Sequence, residues 1–196
     1  CQLQEAIGLP FVMTFHALGK VRRLHQGTAD EFPDERFRIE ERIVGQADGM
    51  VAECPQDLAD LVSLYGADPS RIRTIPCGVD PELFHPEMKS TARRLLGIPE
   101  EKKVVLQLGR LVPRKGIDNV IEAFSLLVRN EPSYDMLLLI VGGPSEKPDR
   151  TTCTEMDRLM RIAEDNKVAD KVLFVGRRKP ETLRYFYSAA DVFVTT

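Results

Sequence analysis

The sequence of 196 residues lacks any apolar run close to the roughly 20 residues needed to cross a bilayer. It also lacks a charged stretch followed by an apolar one at its start, so no secretory signal is indicated. There is no basic tract, and the formal net charge is -3. These absences argue against nucleic acid or an anionic membrane as the main partner, and they predict no transmembrane segment.

Cysteine is scarce, and its pattern excludes two further classes of protein. The four cysteines form no CxxC pair, have no histidines at zinc spacing and are too sparse for a disulfide framework: Cys1, Cys54, Cys77 and Cys153. Reduced thiols and a cytoplasmic location are therefore expected. No GxSxG, HExxH or DxD-type pattern is present, which disfavours a nucleophilic hydrolase and a metal-dependent enzyme.

The chain has no initiator Met and opens within the helix-like phrase "CQLQEAIGLP". We therefore expect it to be a piece of a longer protein. Its 43% hydrophobic content, with both charge signs interspersed, is typical of a globular chain.

Short apolar segments alternate with helix-like segments along the chain. The breakers Gly78, Pro81 and Pro86 separate two sets of them, which predicts a boundary near Pro86 and domains over 1–86 and 87–196. In the second set the predicted strands are continuously apolar, a pattern typical of a parallel sheet covered on both faces. The second domain is therefore predicted to be α/β and Rossmann-like, ending after its fourth strand. The segments that predict strands are "PFVMTFH", "DGMVAE" and "RIRTIP" in the first set and "KKVVLQLG", "DMLLLIVGG", "KVLFVG" and "DVFVTT" in the second.

The stretch "LGRLVPRKGI" places Arg110, Arg114 and Lys115 between two glycines, after a predicted strand and before a predicted helix. An ordinary strand-to-helix turn needs glycine but has no use for three cations. Guanidinium and ammonium groups at a helix N-terminus would suit a pyrophosphate. The alternative is a solvated, positively charged turn. The loop matches neither GxGxxG nor the P-loop pattern.

Two further predicted strands also end at glycine. "IVGGP" carries Gly142 and Gly143, and "FVGRRKPE" carries Arg177 and Arg178 after a glycine. Ligands of parallel sheets bind beyond the carboxyl ends of the strands, so these loops together favour one shared anionic or nucleotide ligand. Turn chemistry and solvent exposure explain each loop equally well when it is taken alone. His16 also ends a predicted strand, which singles it out among the three histidines.

Six phrases in this order resemble the retaining glycosyltransferases of family four, which have the GT-B fold: "TFHALGKVRR", "AECPQDLADL", "IPCGVDPELFHP", "GRLVPRKGIDNVIEAF", "LLIVGGP" and "VLFVGRRKPETLRYFYSAADVFVTT". They cover nearly the whole chain and are most similar to the sucrose-phosphate-synthase-like members and their bacterial relatives. Cys77 is a departure, because the family more often has Pro or Asn before "GVD".

The resemblance implies two Rossmann-like parallel-sheet domains, both incomplete in this chain. Residues 1–86 correspond to the C-terminal part of the acceptor-side domain with the linker, and 87–196 to the N-terminal part of the nucleotide-sugar donor domain. The family's glycine-rich loop is expected before Cys1, and its E-x7-E glutamates after "DVFVTT". The 196 residues alone are therefore expected to be inactive.

The resemblance also implies roles for individual residues. Arg110 and Lys115 are expected at the donor diphosphate, and His16 beside the transferred sugar. The donor-binding residues implied are Gly109, Arg110, Lys115, Gly142, Gly143, Arg177, Arg178 and Leu183. The expected reaction transfers a hexosyl unit with retention from a nucleotide-sugar, with a UDP-sugar favoured, to a sugar, sugar-phosphate or glycolipid acceptor. No cofactor or essential metal is expected.

Two other functions stay open on the sequence. A GT-B-shaped nucleotide-sugar epimerase shares the architecture but would not be expected to carry "FHALGK" and "GRLVPRKG" together. A noncatalytic nucleotide-sugar-binding fragment would bind without turnover. The sequence does not identify the base, the sugar, the acceptor or the oligomeric state.

Overall fold

The protein is described here by a computed structural model that covers residue 6 and residues 8–195. It divides into two compact units, Cys1–Gly78 and Val79–Thr196. The division falls a few residues before the boundary predicted near Pro86. The opening phrase, except Ala6 and residues 8–10, lies outside the described residues, as do Cys1 and Thr196.

The first unit contains a parallel three-stranded sheet in the order β1-β2-β3. Its core is formed by side chains such as Phe15, Val44, Met50, Leu61 and Ile72. The helix Pro55–Tyr65 has a proline at its first position, and Gly66 ends it in the left-handed conformation. In chain order the elements are β1 Val12–Thr14, α1 Gly19–Gln26, α2 Glu35–Gln46, β2 Gly49–Ala52, α3 Pro55–Tyr65 and β3 Ile72–Thr74.

The second unit contains a parallel four-stranded sheet in the order β6-β5-β4-β7. Strands and helices alternate along the chain: α4 Lys89–Leu96, β4 Lys103–Leu108, α5 Ile117–Asn130, β5 Met136–Val141, α6 Thr154–Asp165, β6 Val172–Gly176, α7 Pro180–Ala189 and β7 Val192–Phe193. The predicted α/β fold with parallel sheets is confirmed.

Helices cover both faces of the second sheet. In β5, Leu138 and Ile140 pack in one core with α5 and α6, whereas Leu139 and Val141 pack in another with α4 and α7. Successive side chains of a strand point to opposite faces, so a strand buried on both sides must be apolar throughout. The run "MLLLIV" meets this requirement.

The strand order creates a topological switch point. The chain leaves β4 for β5 and β6 on one side, then returns to place β7 on the other side of β4. In doubly wound sheets, ligands bind beyond the carboxyl ends of the strands, close to such a switch point. The loop after β4 begins at Gly109 and Arg110.

Two helices were not predicted from the sequence. Helix α1 occupies the basic segment after His16, where the Gly19 N–H donates to the buried carboxylate of Glu40 at 2.9 Å. Helix α4 follows the predicted boundary, and its Arg93 side chain is buried and bonded to Asp191. Both helices depend on partners distant in sequence, which local propensity does not reveal. Among the described residues, no helix combines the length and apolarity needed to cross a membrane.

Candidate functional site

Three strand-end loops of the second unit are tied together by backbone hydrogen bonds. The Gly109 N–H donates to the Val141 carbonyl at 3.0 Å, and the Gly142 N–H donates to the Gly176 carbonyl at 3.0 Å. The Arg177 N–H then donates to the Ser145 carbonyl at 2.7 Å. The loops after β4, β5 and β6 therefore form one connected edge of the sheet.

The absence of a side chain at Gly142 permits this close approach. Its φ is +147°, and a Cβ placed there would collide with the carbonyl oxygen of Gly109. Backbone lies where a side chain would be, so the neighbour cannot move aside as a flexible side chain could. Gly142 thus has a structural reason to be glycine, whatever ligand the edge binds.

A cavity of about 620 Å³ lies at this edge, a size typical of ligand pockets. Its lining includes all of the predicted donor-binding residues except Lys115. Aliphatic side chains such as Leu108 and Leu111 give it an apolar wall. The lining residues are Leu108, Gly109, Arg110, Leu111, Val112, Val141, Gly142, Gly143, Pro144, Thr152, Cys153, Arg177, Arg178 and Leu183.

The charged side chains that line this cavity are all positive. Arg110, Arg177 and Arg178 line it, and no described Asp or Glu is among the lining residues. Arg110 is exposed and has no ion-pair partner within residues 8–195. Arg178 donates through Nη1 to the Glu146 carbonyl at 2.8 Å, which fixes its guanidinium against the neighbouring loop. Such a group of guanidinium groups suits an anion with several oxygens.

Lys115 lies next to the cavity lining but outside it. It ends the short 3₁₀ turn Pro113–Lys115, is half-buried, and leads through Gly116 into α5. Gly116 is left-handed at φ +53° and precedes the first residue of the helix, so the predicted helix start at Ile117 is confirmed. The structure therefore puts Lys115 at the N-terminal end of α5, where backbone N–H groups favour anions.

A second cavity of the same unit differs in its charge. It measures about 610 Å³ and lies between the segment at 79–87 and α7. Its Glu87 carboxylate pairs with His85 Nε2 at 3.1 Å and with Arg184 Nε at 3.1 Å. These groups neutralise one another, so this cavity offers less for an anion than the cavity at the strand ends.

In the first unit, His16 follows β1 and is exposed, with its Nδ1 in ion-pair contact with Glu53 Oε1. Glu53 follows the central strand β2, and the sequence interpretation did not single it out. The signal was available in principle, because the carboxyl ends of neighbouring parallel strands lie side by side. Predicting the pair required knowing that β1 and β2 are neighbours.

Cys77 follows β3 and interacts with the same carboxylate. Its hydrogen-bonding interaction with Glu53, together with burial and the nearby charges, raises the pKa of the Cys77 thiol above its ordinary value. The shift favours the thiol over the thiolate form of Cys77.

Side chains of α2 and α3 hold the backbone that follows His16 in place. The Ala17 carbonyl accepts from Arg36 Nη2 at 2.7 Å, and the Gly19 N–H donates to the buried Glu40 carboxylate. Tyr65 donates its hydroxyl proton to the same carboxylate at 2.5 Å, and burial and this interaction raise the pKa of Tyr65. Because α2 and α3 supply these groups, the position of His16 is set by the core of the unit.

Within the described residues, no three His, Cys, Asp or Glu side chains are arranged to hold a metal ion. Cys54, Cys77 and Cys153 are free thiols in this part of the chain, and Cys1 lies outside it.

The two parallel-sheet units, together with the structural neighbours, define a GT-B glycosyltransferase fold. Residues 88–196 match the family model described as "Glycosyl transferases group 1", and residues 2–83 match "Glycosyltransferase Family 4". The chain belongs to the group 1 glycosyl transferases, which confirms the family predicted from the six phrases.

Relatives support the same assignment over nearly the whole chain. A D-inositol 3-phosphate glycosyltransferase of Acidothermus cellulolyticus is 40% identical over 95% of this chain and 42% of its own length. A sucrose-phosphate synthase of Thermosynechococcus elongatus is 30% identical with a TM-score of 0.80, over 98% of this chain and 45% of the other. Anabaena HepE in complex with UDP-glucose is 19% identical with a TM-score of 0.74, over 98% and 48%. The chain thus spans less than half the length of each of these relatives.

Proposed function

We propose that the full-length protein transfers a hexosyl unit from a nucleotide diphosphate sugar to an acceptor, with retention of anomeric configuration. The observation that carries this proposal is the cavity at the carboxyl ends of β4, β5 and β6, which Arg110, Arg177 and Arg178 line without a described carboxylate. A dianionic diphosphate is the chemical group that such a cavity fits best. Membership of the group 1 glycosyl transferases supplies the reaction class.

In this proposal Arg110 and Lys115 hold the donor diphosphate. Arg110 offers two parallel N–H donors, and Lys115 adds a point charge near the N-terminus of α5. When the glycosidic bond breaks, negative charge grows on the departing diphosphate. Cations already fixed in place stabilise that charge without reorganisation, and such electrostatic stabilisation is often the largest single contribution to catalysis.

The nucleoside is assigned to the remaining part of the cavity. Arg177 and Arg178 come from the loop after β6 and Leu183 from α7, and they provide hydrogen-bond donors beside an apolar wall. Gly109, Gly142 and Gly143 present backbone to the ligand at close range. A UDP-sugar is favoured as donor, in line with the HepE complexes with UDP and UDP-glucose.

The first unit is assigned to the acceptor and to the transferred sugar. His16, held by its contact with Glu53, is proposed to act beside that sugar. The names of the relatives, D-inositol 3-phosphate glycosyltransferase and sucrose-phosphate synthase, favour a phosphorylated polyol or sugar as acceptor. The absence of an essential metal and the cytoplasmic location stay predictions.

The test uses the full-length protein. Thermal shifts are measured with UDP-, GDP- and ADP-sugars, followed by NMR analysis of any product formed with sugar and sugar-phosphate acceptors. The proposal expects one nucleotide class to stabilise the protein and a product with the anomeric configuration of the donor. Turnover of the donor to an isomeric nucleotide-sugar without acceptor would favour an epimerase. Binding without any product would favour a noncatalytic role.

A further inference from the structure

Three chemically different side chains meet at the carboxyl edge of the first sheet. The strand order β1-β2-β3 puts the end of β2 in the middle, so Glu53 lies between the residues that follow its two neighbours. His16 comes from the β1 side and Cys77 from the β3 side, and both interact with the Glu53 carboxylate.

The burial of Glu53 calls for an explanation. Its side chain is 25% exposed, whereas that of His16 is 78% exposed. The Oε1 atom is buried and has no aligned hydrogen-bond donor among the described residues. A buried carboxylate oxygen needs a donor to offset the loss of its contacts with water. This oxygen is in contact with Nδ1 of the His16 imidazole.

The backbone also keeps Glu53 in place. Its N–H donates to the Asp57 carboxylate at 3.1 Å, at the start of α3. The residue before it, Ala52, accepts a hydrogen bond from the Ile75 N–H at 2.8 Å. Glu53 is therefore anchored by both the sheet and a helix, as a group that orients another side chain should be.

We propose that Glu53 is a positioning residue for His16: its carboxylate engages Nδ1 and so presents Nε2, on the opposite side of the ring, to the ligand. This inference rests on the proposed function, in which His16 acts beside the transferred sugar. Which ring nitrogen carries the proton in a neutral histidine is set by the partner of the other nitrogen. Cys77, whose thiol pKa is raised by its interaction with Glu53, lies on the other side of the carboxylate.

The test compares Glu53→Leu and Glu53→Gln in the full-length protein. Leucine has a similar size but no acceptor, so kcat should fall about tenfold to a hundredfold while the donor KM stays within about twofold, the scale of one lost charge-assisted contact. Glutamine keeps a carbonyl oxygen that can accept from Nδ1–H, so Glu53→Gln should recover part of the loss. The matched control is Glu35→Leu, a change at an exposed glutamate on α2, which should leave kcat unchanged.

A spectroscopic measurement separates positioning from general structural damage. In ¹⁵N NMR spectra of the neutral imidazole at alkaline pH, His16 should carry its proton on Nδ1 in the wild type and mainly on Nε2 in Glu53→Leu. Unchanged tautomer populations, with the variant folded as judged by its melting temperature, would overturn the inference. This result does not depend on turnover, so it stands even where no glycosyl transfer is detected.

The double variant His16→Ala/Glu53→Leu completes the experiment. If Glu53 acts through His16, the double variant loses no more kcat than His16→Ala alone. Multiplying losses would show that Glu53 acts independently and would overturn the inference. Full activity of His16→Ala would remove the proposed role of His16, and the positioning role with it, while leaving glycosyl transfer itself intact.

Discussion

The carboxyl edges of the two sheets carry opposite chemistries. In the first unit an imidazole, a carboxylate and a thiol interact with one another, at His16, Glu53 and Cys77. In the second unit guanidinium groups line a cavity that contains no described carboxylate. The first edge combines a carboxylate with an imidazole and a thiol, and the second has an excess of positive charge.

This difference indicates that the two sheet edges have different roles. Side chains that contact one another can hold one of their number in a single orientation. An unbalanced cationic cavity is costly until an anion enters, and it favours a ligand that brings negative charge. The cavity of the second unit is therefore proposed to bind the donor diphosphate, and the edge of the first unit to orient a side chain toward the transferred sugar.

The largest effect is expected from Arg110→Ala. Removing one preorganised donor to developing charge should lower kcat/KM of the full-length protein by about a hundredfold to a thousandfold. Arg110→Lys should stay well below wild type, because it loses the bidentate fork. Steady-state kinetics with the identified donor measures both.

Arg114→Ala provides the matched control. Arg114 lies on the same loop and is exposed, but it is outside the cavity lining. Its loss should change kcat/KM by less than about threefold, the effect of a screened surface charge. Equal losses in Arg110→Ala and Arg114→Ala would mean that the loop acts through its overall charge and not through a specific contact.

His16→Ala should lower kcat by about a hundredfold with a smaller change in donor KM. The reason is that its proposed place is at the transferred sugar and not at the diphosphate. Measuring donor affinity directly, by titration with the nucleoside diphosphate, separates the two effects. Unchanged kcat with weakened donor affinity would contradict the proposed difference in role between the two sheet edges.

Gly142→Ala tests whether the edge of the second sheet is a connected structure. A Cβ at this position would meet the Gly109 carbonyl, so the loops after β4 and β5 must separate, at a cost of about 2 to 3 kcal/mol. The melting temperature and the affinity for a nucleoside diphosphate should both fall. Gly45→Ala, in helix α2 with open space around it, should instead be neutral or stabilising.

The smallest effect is expected from Asp191→Asn. The Asp191 carboxylate accepts from Lys89 Nζ at 2.8 Å, the Val104 N–H at 2.7 Å and Arg93 Nη2 at 2.8 Å. Burial opposes its ionisation, but these partners outweigh burial and hold the pKa of Asp191 below its ordinary value of 3.8. The change should destabilise the second unit by about 1 to 2 kcal/mol at neutral pH.

The pH dependence of this effect has a defined sign. Because the folded-state pKa of Asp191 is lowered, its stabilisation is complete above the ordinary pKa of 3.8 and is lost as the pH falls through the lower, folded-state value. Hydrogen exchange in the strand Lys103–Leu108 should therefore be faster in Asp191→Asn at neutral pH, with the difference shrinking below about pH 4. A constant difference across that range would show that the charge of Asp191 is not the cause.

The second sheet could be predicted in detail from the sequence because its signals are local. Continuous apolar runs mark its strands, and Gly109, Gly142 and Gly176 mark their ends. Parallel strands place those ends together, so the strand pattern predicts that these loops lie side by side, whereas the donor-binding residues themselves were implied by the family resemblance. The strand pattern does not predict that Lys115 lies outside the cavity lining, because that depends on the short turn Pro113–Lys115.

The edge of the first sheet could not be predicted in the same way. The contact of His16 with Glu53 depends on strand order, which the alternation of segments does not specify. Helix α1 depends on the buried Glu40, a glutamate that in the sequence is indistinguishable from its exposed neighbours on α2. Both features are tertiary, since each joins residues that are far apart in the chain.

The central claim is that the cationic cavity of the second unit binds the diphosphate of a nucleotide donor. Isothermal titration of the full-length wild type and Arg110→Ala tests it most directly. The ligands are UDP, UMP and uridine, with GDP and ADP added to compare the bases. We expect one nucleoside diphosphate to bind at least tenfold more tightly than its monophosphate, with weaker binding at high salt and in Arg110→Ala. If every nucleoside diphosphate binds no more tightly than its own monophosphate, or if diphosphate affinity is undiminished in Arg110→Ala, the claim is contradicted.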